Sequence, residues 1–81
     1  MTKRRVRLEV ELAYEDDVDQ LRGALLAARA AEKAEVQRRG GRLVTGYGTE
    51  AARDSMSAEV RRAARRAELL DRLIQSLDAS V

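Results

Sequence analysis

The chain has 81 residues, enough for one small domain, and its 16 Lys+Arg against 14 Asp+Glu leave a formal net charge of only +2. His, Cys, Trp, Phe and Pro are absent, so zinc fingers, Cys/His nucleophile pairs, the usual haem ligands and disulfide frameworks are excluded. With Tyr14 and Tyr47 as the only aromatics, there is no platform on which several bases could stack.

Leu, Ile and Val number 18, while Ala alone numbers 14. That is a thin supply of large apolar side chains for a chain this short, and self-association is the simplest remedy without disulfides or metal. Charged residues make up 37% with the signs interspersed, which reads as solvated helix faces. Arg outnumbers Lys 14 to 2, and with the many alanines this points to a GC-rich genome, such as an actinobacterium or one of its phages. No apolar run approaches the ~18 residues of a membrane span. Met1 to Arg5 is basic but is followed by alternating charges instead of an apolar stretch, so no secretory signal is read there. The expected location is the cytoplasm.

The first patterned segment is Arg5-Val6-Arg7-Leu8-Glu9-Val10-Glu11-Leu12. Its apolar residues alternate strictly with charges, which predicts a half-buried β-strand over about 4–13. The charges run two Arg then two Glu. Pairing with a copy about Leu8 sets Arg5 opposite Glu11 and Arg7 opposite Glu9, each pair contributing about 0.2–1 kcal/mol. Pairing with residues 42–47 of the same chain is the alternative. Val6, Leu8, Val10 and Leu12 are therefore candidate oligomer-interface residues.

A long helix is expected over about 15–39. Glu15, Asp16, Asp17 and Asp19 crowd its start, and Arg38 and Arg39 its end, as the helix dipole favours. That favourable placement is also the simplest account of the acidic cluster, in preference to a hydrolytic pair or a magnesium site. Gly40 reads as the C-terminal stop. The core stripe is Val18, Leu21, Leu25 and Ala28, continued by Ala31, Ala34 and Val36 and widened by Leu26.

Residues 40–49 hold four of the five glycines and read as a connection, with a candidate second strand at 42–47. Gly41 and Gly46 have the outer spacing of a P-loop, but Tyr47 and Gly48 stand where Lys and Ser/Thr are needed, so a Walker motif is rejected. Arg42, Gly46 and Gly48 are left as a candidate anion-binding set for a small phosphorylated ligand, against the plainer reading of a turn.

A second helix over about 50–79 has the clearest signal. Met56, Val60, Ala63, Ala67, Leu70, Ile74, Leu77 and Val81 form an unbroken heptad seam, widened by Leu69 and Leu73. Thr49, Ser55 or Ser57 can cap its start. Folded antiparallel with facing positions summing to about 98, the helices set Leu against Leu near the chain ends and Ala against Ala near the connection. Leu26, Leu69 and Leu73 are left partly uncovered and join the candidate oligomer interface.

Two basic groups are candidate contacts for nucleic acid or an acidic partner: Lys3, Arg4, Arg5 and Arg7, and the helical set Arg61, Arg62, Arg65 and Arg66. An ordinary solvated face is the alternative for both. The order strand, helix, helix, with the last helix starting near Ser55-Met56-Ser57, resembles the ribbon-helix-helix DNA-binding domains. The resemblance implies a two-chain ribbon with Arg5, Arg7 and Glu9 facing the major groove. It covers residues 4–12 and the order of elements only. The first helix here is about twice the family's length and the connection is long and glycine-rich, so the chain is not assigned to that family.

The expectation is a single α+β domain, mostly α: an N-terminal strand followed by a long helical hairpin (β-α-(β)-α), completed by oligomerisation. The expected function is a non-enzymatic, oligomerising protein-interaction module of accessory or adaptor type. A nucleic-acid binder is the alternative. No cofactor, metal or membrane partner is expected.

Overall fold

The computed structural model of the protein describes residues 3–44 and 48–81, and the side chains of all these except 43 and 44. Two helices make up its secondary structure: α1, Asp17–Val44, and α2, Glu50–Ser80. They lie antiparallel as a hairpin with overall extents of 51 × 30 × 16 Å. Among the described residues, no helix is long and apolar enough to cross a membrane.

The N-terminal strand expected over 4–13 is not formed, and the fold is a helical hairpin, not α+β. A strand is stabilised by its ladder, and residues 3–13 meet no second strand among the described residues. The alternative partner at 42–47 is unavailable because residues 42–44 belong to α1; Thr45, Gly46 and Tyr47 lie outside the described residues. The strand that the ribbon-helix-helix resemblance implies for each chain is likewise not formed in the single chain. Residues 3–13 form an exposed arm, and Val6, Leu8, Val10 and Leu12 all face solvent.

The arm is tied to α1 by Asp17. Its Oδ2 accepts from the backbone N–H of Ala13 and of Tyr14, each at 3.0 Å, and its own N–H donates to the Tyr14 carbonyl at 3.1 Å. At least one acidic residue of this cluster thus anchors the chain entering the helix.

α1 does not stop at Gly40. It continues through Gly40 and Gly41 to Val44. A glycine stop requires a left-handed backbone, and among the described residues Gly48 alone has positive φ, at 98°. Gly48 precedes Thr49, whose extended backbone and Oγ1, accepting from the Ala52 N–H at 3.2 Å, start α2. Thr49 is the cap; Ser55 and Ser57 lie inside the helix.

α2 presents its heptad seam from Met56 to Leu77, whereas Val81, its last expected member, follows the helix as the C-cap and is 74% exposed. Ala63, Ala67 and Ile74 are 0%, 8% and 5% exposed, and Met56, Val60, Leu70 and Leu77 are half-buried. The register also agrees. The ion pairs between the helices join Arg22 to Asp78, Arg29 to Asp71 and Glu32 to Arg66, with position sums of 98 to 100.

The facing stripe of α1 differs from the expected one. Val18, Leu25, Arg29, Glu32 and Val36 are half-buried, whereas Leu21, Ala28, Ala31 and Ala34 are exposed. Val18, Leu25, Arg29, Glu32 and Val36 follow at steps of 7, 4, 3 and 4, which return to one face of the helix. Leu21 and Ala28 lie roughly 60–80° to one side of Val18, and the further steps of three to Ala31 and Ala34 turn away from α2. Arg29 and Glu32 therefore enter the seam, where their stems cover apolar surface and their charges reach the flanks.

Candidate interaction surfaces

The interhelical ion pairs divide the hairpin into two flanks. Arg22 and Arg29, seven residues apart on α1, meet Asp78 and Asp71, seven apart on α2. Arg22 Nε lies 2.9 Å from Asp78 Oδ1, and its Nη2 lies 3.3 Å from Oδ2, a two-point pair. That bond raises the pKa of Arg22. This flank is polar. Leu26 shares it, between Arg22 and Arg29, and is half-buried.

The opposite flank holds Glu32 and Arg66. Going back along α1 from Glu32 at helical spacing gives Ala28, Leu25 and Leu21. Going forward along α2 from Arg66 gives Leu69 and Leu73. Leu69 is 55% exposed, Leu73 43% and Leu21 38%. Three large apolar side chains and Ala28 thus share one flank. Leu69 and Leu73 are where the sequence places uncovered surface, but their neighbour on α1 is Leu21, not Leu26. Sequence reasoning assigned Leu21 to the seam because it fits the apolar spacing of Val18 and Leu25, although it lies to one side of the face those two present.

The helical arginines are partly committed. Arg66 spans to Glu32 with Nε 2.9 Å from Oε1, and Arg62 pairs with Glu59 on its own helix. Arg61 donates to Ser57 Oγ at 3.4 Å, and Arg65 has no carboxylate partner among the described residues. Arg61, Arg62 and Arg65 line an open concavity with Ala58, Ala64 and Glu68. All four arginines are exposed, and Arg66, 48% exposed, reaches from this side of α2 across to Glu32. Lys3, Arg4, Arg5 and Arg7 lie on the exposed arm, away from regular structure.

The candidate anion set is not gathered into a site among the described residues. Arg42 is exposed on the last turn of α1, and Gly46 lies outside the described residues. Gly48 lines a shallow depression with Glu50, Arg53, Asp54 and Ser57, so two carboxylates share that surface. At the same end of the hairpin, Glu35 is paired with Arg39 and Arg38. The hydrogen bond from Arg39 holds the Glu35 carboxyl below its ordinary value of 4.5, with the charge of Arg38 adding to the effect. Among the described residues, no group of three or more carboxylates is placed to hold a metal ion.

Comparison with protein families, with curated proteins and with solved structures found no match.

Proposed function

We propose that the protein is a small self-associating interaction module of accessory or adaptor type, which works by binding and not by catalysis. The observation that carries this reading is the apolar flank of Leu21, Leu69 and Leu73, exposed on a hairpin whose described residues bury only Ala63, Ala67 and Ile74. A compact chain of this size exposes about 4,900 Å². This one, its exposed arm at residues 3–13 included, exposes 7074 Å². Its radius of gyration is 16.6 Å, against about 12 Å for a compact domain of the same length. A second copy would supply the cover that one hairpin lacks. A cytoplasmic location fits this reading.

Sedimentation velocity at tens of micromolar tests it. The expected result is a dimer or higher oligomer, and a stable monomer would sink the proposal.

Nucleic-acid binding is the second reading, favoured by Arg61 and Arg65, which no carboxylate neutralises among the described residues, and by the basic arm. Titration against duplex DNA at two salt concentrations separates the two readings. Steep salt dependence supports nucleic-acid binding, and no binding at low salt removes it.

A further inference from the structure

The arm carries four apolar side chains that the hairpin leaves uncovered. Val6, Leu8 and Val10 are 74%, 73% and 72% exposed, and Leu12 is 42% exposed. Among the described residues, none of positions 3–12 takes part in a hydrogen bond or an ion pair. The backbone donors and acceptors of the arm are therefore left to water or to another chain.

The charges between those apolar residues are ordered: Arg5 and Arg7, then Glu9 and Glu11. The order matters only against a reversed copy. Antiparallel pairing about Leu8 sets Arg5 opposite Glu11 and Arg7 opposite Glu9, each twice across the two-fold axis. Val6 then meets Val10 on the other face. Sliding by two residues puts Arg7 against Arg7 or Glu9 against Glu9. Sliding by one sets charges against apolar residues. Parallel pairing in register sets every charge against its own kind. A parallel stagger of four residues matches Arg5 and Arg7 of one copy and leaves those of the other unmatched.

We infer that two copies of the chain join through their arms, antiparallel about Leu8, in a two-stranded ladder that exists only between chains. This rests on the self-association proposed above and adds the segment and the register. The single chain forms no strand here because nothing completes its hydrogen bonds, and a second copy supplies what is missing. The arrangement is two-fold, so the same segment serves both copies. Its apolar face gathers Val6, Leu8, Val10 and Leu12 from each. Two strands alone are marginal in water and need a covering surface. The arm joins α1 at Asp17, which accepts from the Ala13 and Tyr14 N–H groups. Leu21 stands one helical turn further on and shares its exposed flank with Leu69 and Leu73. The apolar flank of the hairpin thus begins beside the root of the arm, where the ladder needs its cover.

The chain has no cysteine, so single substitutions report contacts cleanly. Leu8 faces its own copy, and Leu8→Cys is expected to close a disulfide between two chains under mild oxidation. Val6 and its copy stand four residues apart, about 13 Å along the strand, too far for a disulfide. Val6→Cys alone and Val10→Cys alone are therefore expected to stay uncrosslinked, and their equimolar mixture to give the mixed disulfide. Crosslinking of Val6→Cys with itself as readily as with Val10→Cys overturns the register. No crosslink from any of these variants, in protein that sediments as a dimer, overturns the inference and leaves self-association standing. A monomer overturns both.

Exchanging the charges gives an independent reading. Arg5→Glu with Arg7→Glu makes the arm acidic throughout, and Glu9→Arg with Glu11→Arg makes it basic throughout. Each double variant is expected to self-associate about tenfold more weakly, because like charges then oppose each other along the ladder, with helicity unchanged in circular dichroism. Mixing the two at about 0.15 M salt, where the screening length still exceeds a cross-strand contact, is expected to restore association as a heterodimer. A mixture that associates no more tightly than the separate variants overturns the pairing of the arms.

Discussion

Arg66 of α2 reaches across the hairpin to Glu32 of α1, with Nε 2.9 Å from Oε1. The contact takes one arginine out of the basic set that the sequence suggests. It also leaves Glu32 Oε2 buried without a hydrogen-bond partner. An exposed pair contributes about 0–1 kcal/mol, and Arg66 is 48% exposed. An unsatisfied buried oxygen costs about 1–3 kcal/mol.

The larger of these effects predicts that Glu32→Met stabilises the hairpin by about 1 kcal/mol. Urea unfolding at fixed protein concentration measures it. A loss of stability would show that the ion pair outweighs the orphaned oxygen.

The glycines of α1 give a second expectation. A Cβ added at Gly40 or Gly41 meets nothing within 4 Å, and both positions lie in the helix. Each change to Ala should stabilise by about 0.5–1 kcal/mol. Gly48→Ala should destabilise, because its φ of 98° strains any residue with a side chain. Thermal melts of the three variants compare the two effects directly.

Ile74 is the largest of the three buried residues. Ile74→Ala should cost about 2–5 kcal/mol, a large share of the stability of so small a domain, and should broaden or abolish the unfolding transition. Leu69→Ala should change the dissociation of the proposed dimer far more than the helicity of the chain, since Leu69 is 55% exposed on a single hairpin. Circular dichroism and sedimentation on the same samples distinguish the two.

Glu35 gives the hairpin a dependence on pH. Its folded pKa lies below its ordinary value of 4.5, held there first by the hydrogen bond from Arg39. A depressed folded pKa contributes stability above the unfolded value, and that contribution is lost as pH falls through the folded one. Stability should therefore fall on acidification below about pH 4.5, and Glu35→Gln should flatten the slope. The effect is small because the pair is only half-buried and solvent screens it. An unchanged slope in Glu35→Gln would assign the acid sensitivity to other carboxylates.

By itself the sequence determined α2 and the register of the hairpin. Met56, Val60, Ala63, Ala67, Leu70, Ile74 and Leu77 recur at helical spacing, and few other large apolar residues on that helix compete with them. Two antiparallel helices of matched length then have little freedom to slide. Which side of α1 meets α2 was not legible, because its alanines at 24, 27, 28, 30, 31 and 34 spread around the helix and mark no face. Only the tertiary structure decided that Arg29 and Glu32 enter the seam and that Leu21 joins Leu69 and Leu73 on one flank. It also decided the fate of the arm. Alternation at Val6, Leu8, Val10 and Leu12 states which residues would share a face, but a strand exists only where a neighbouring backbone completes its hydrogen bonds. That neighbour is a tertiary fact, and within the chain helix α1 takes up residues 42–44 of the segment that was to provide it.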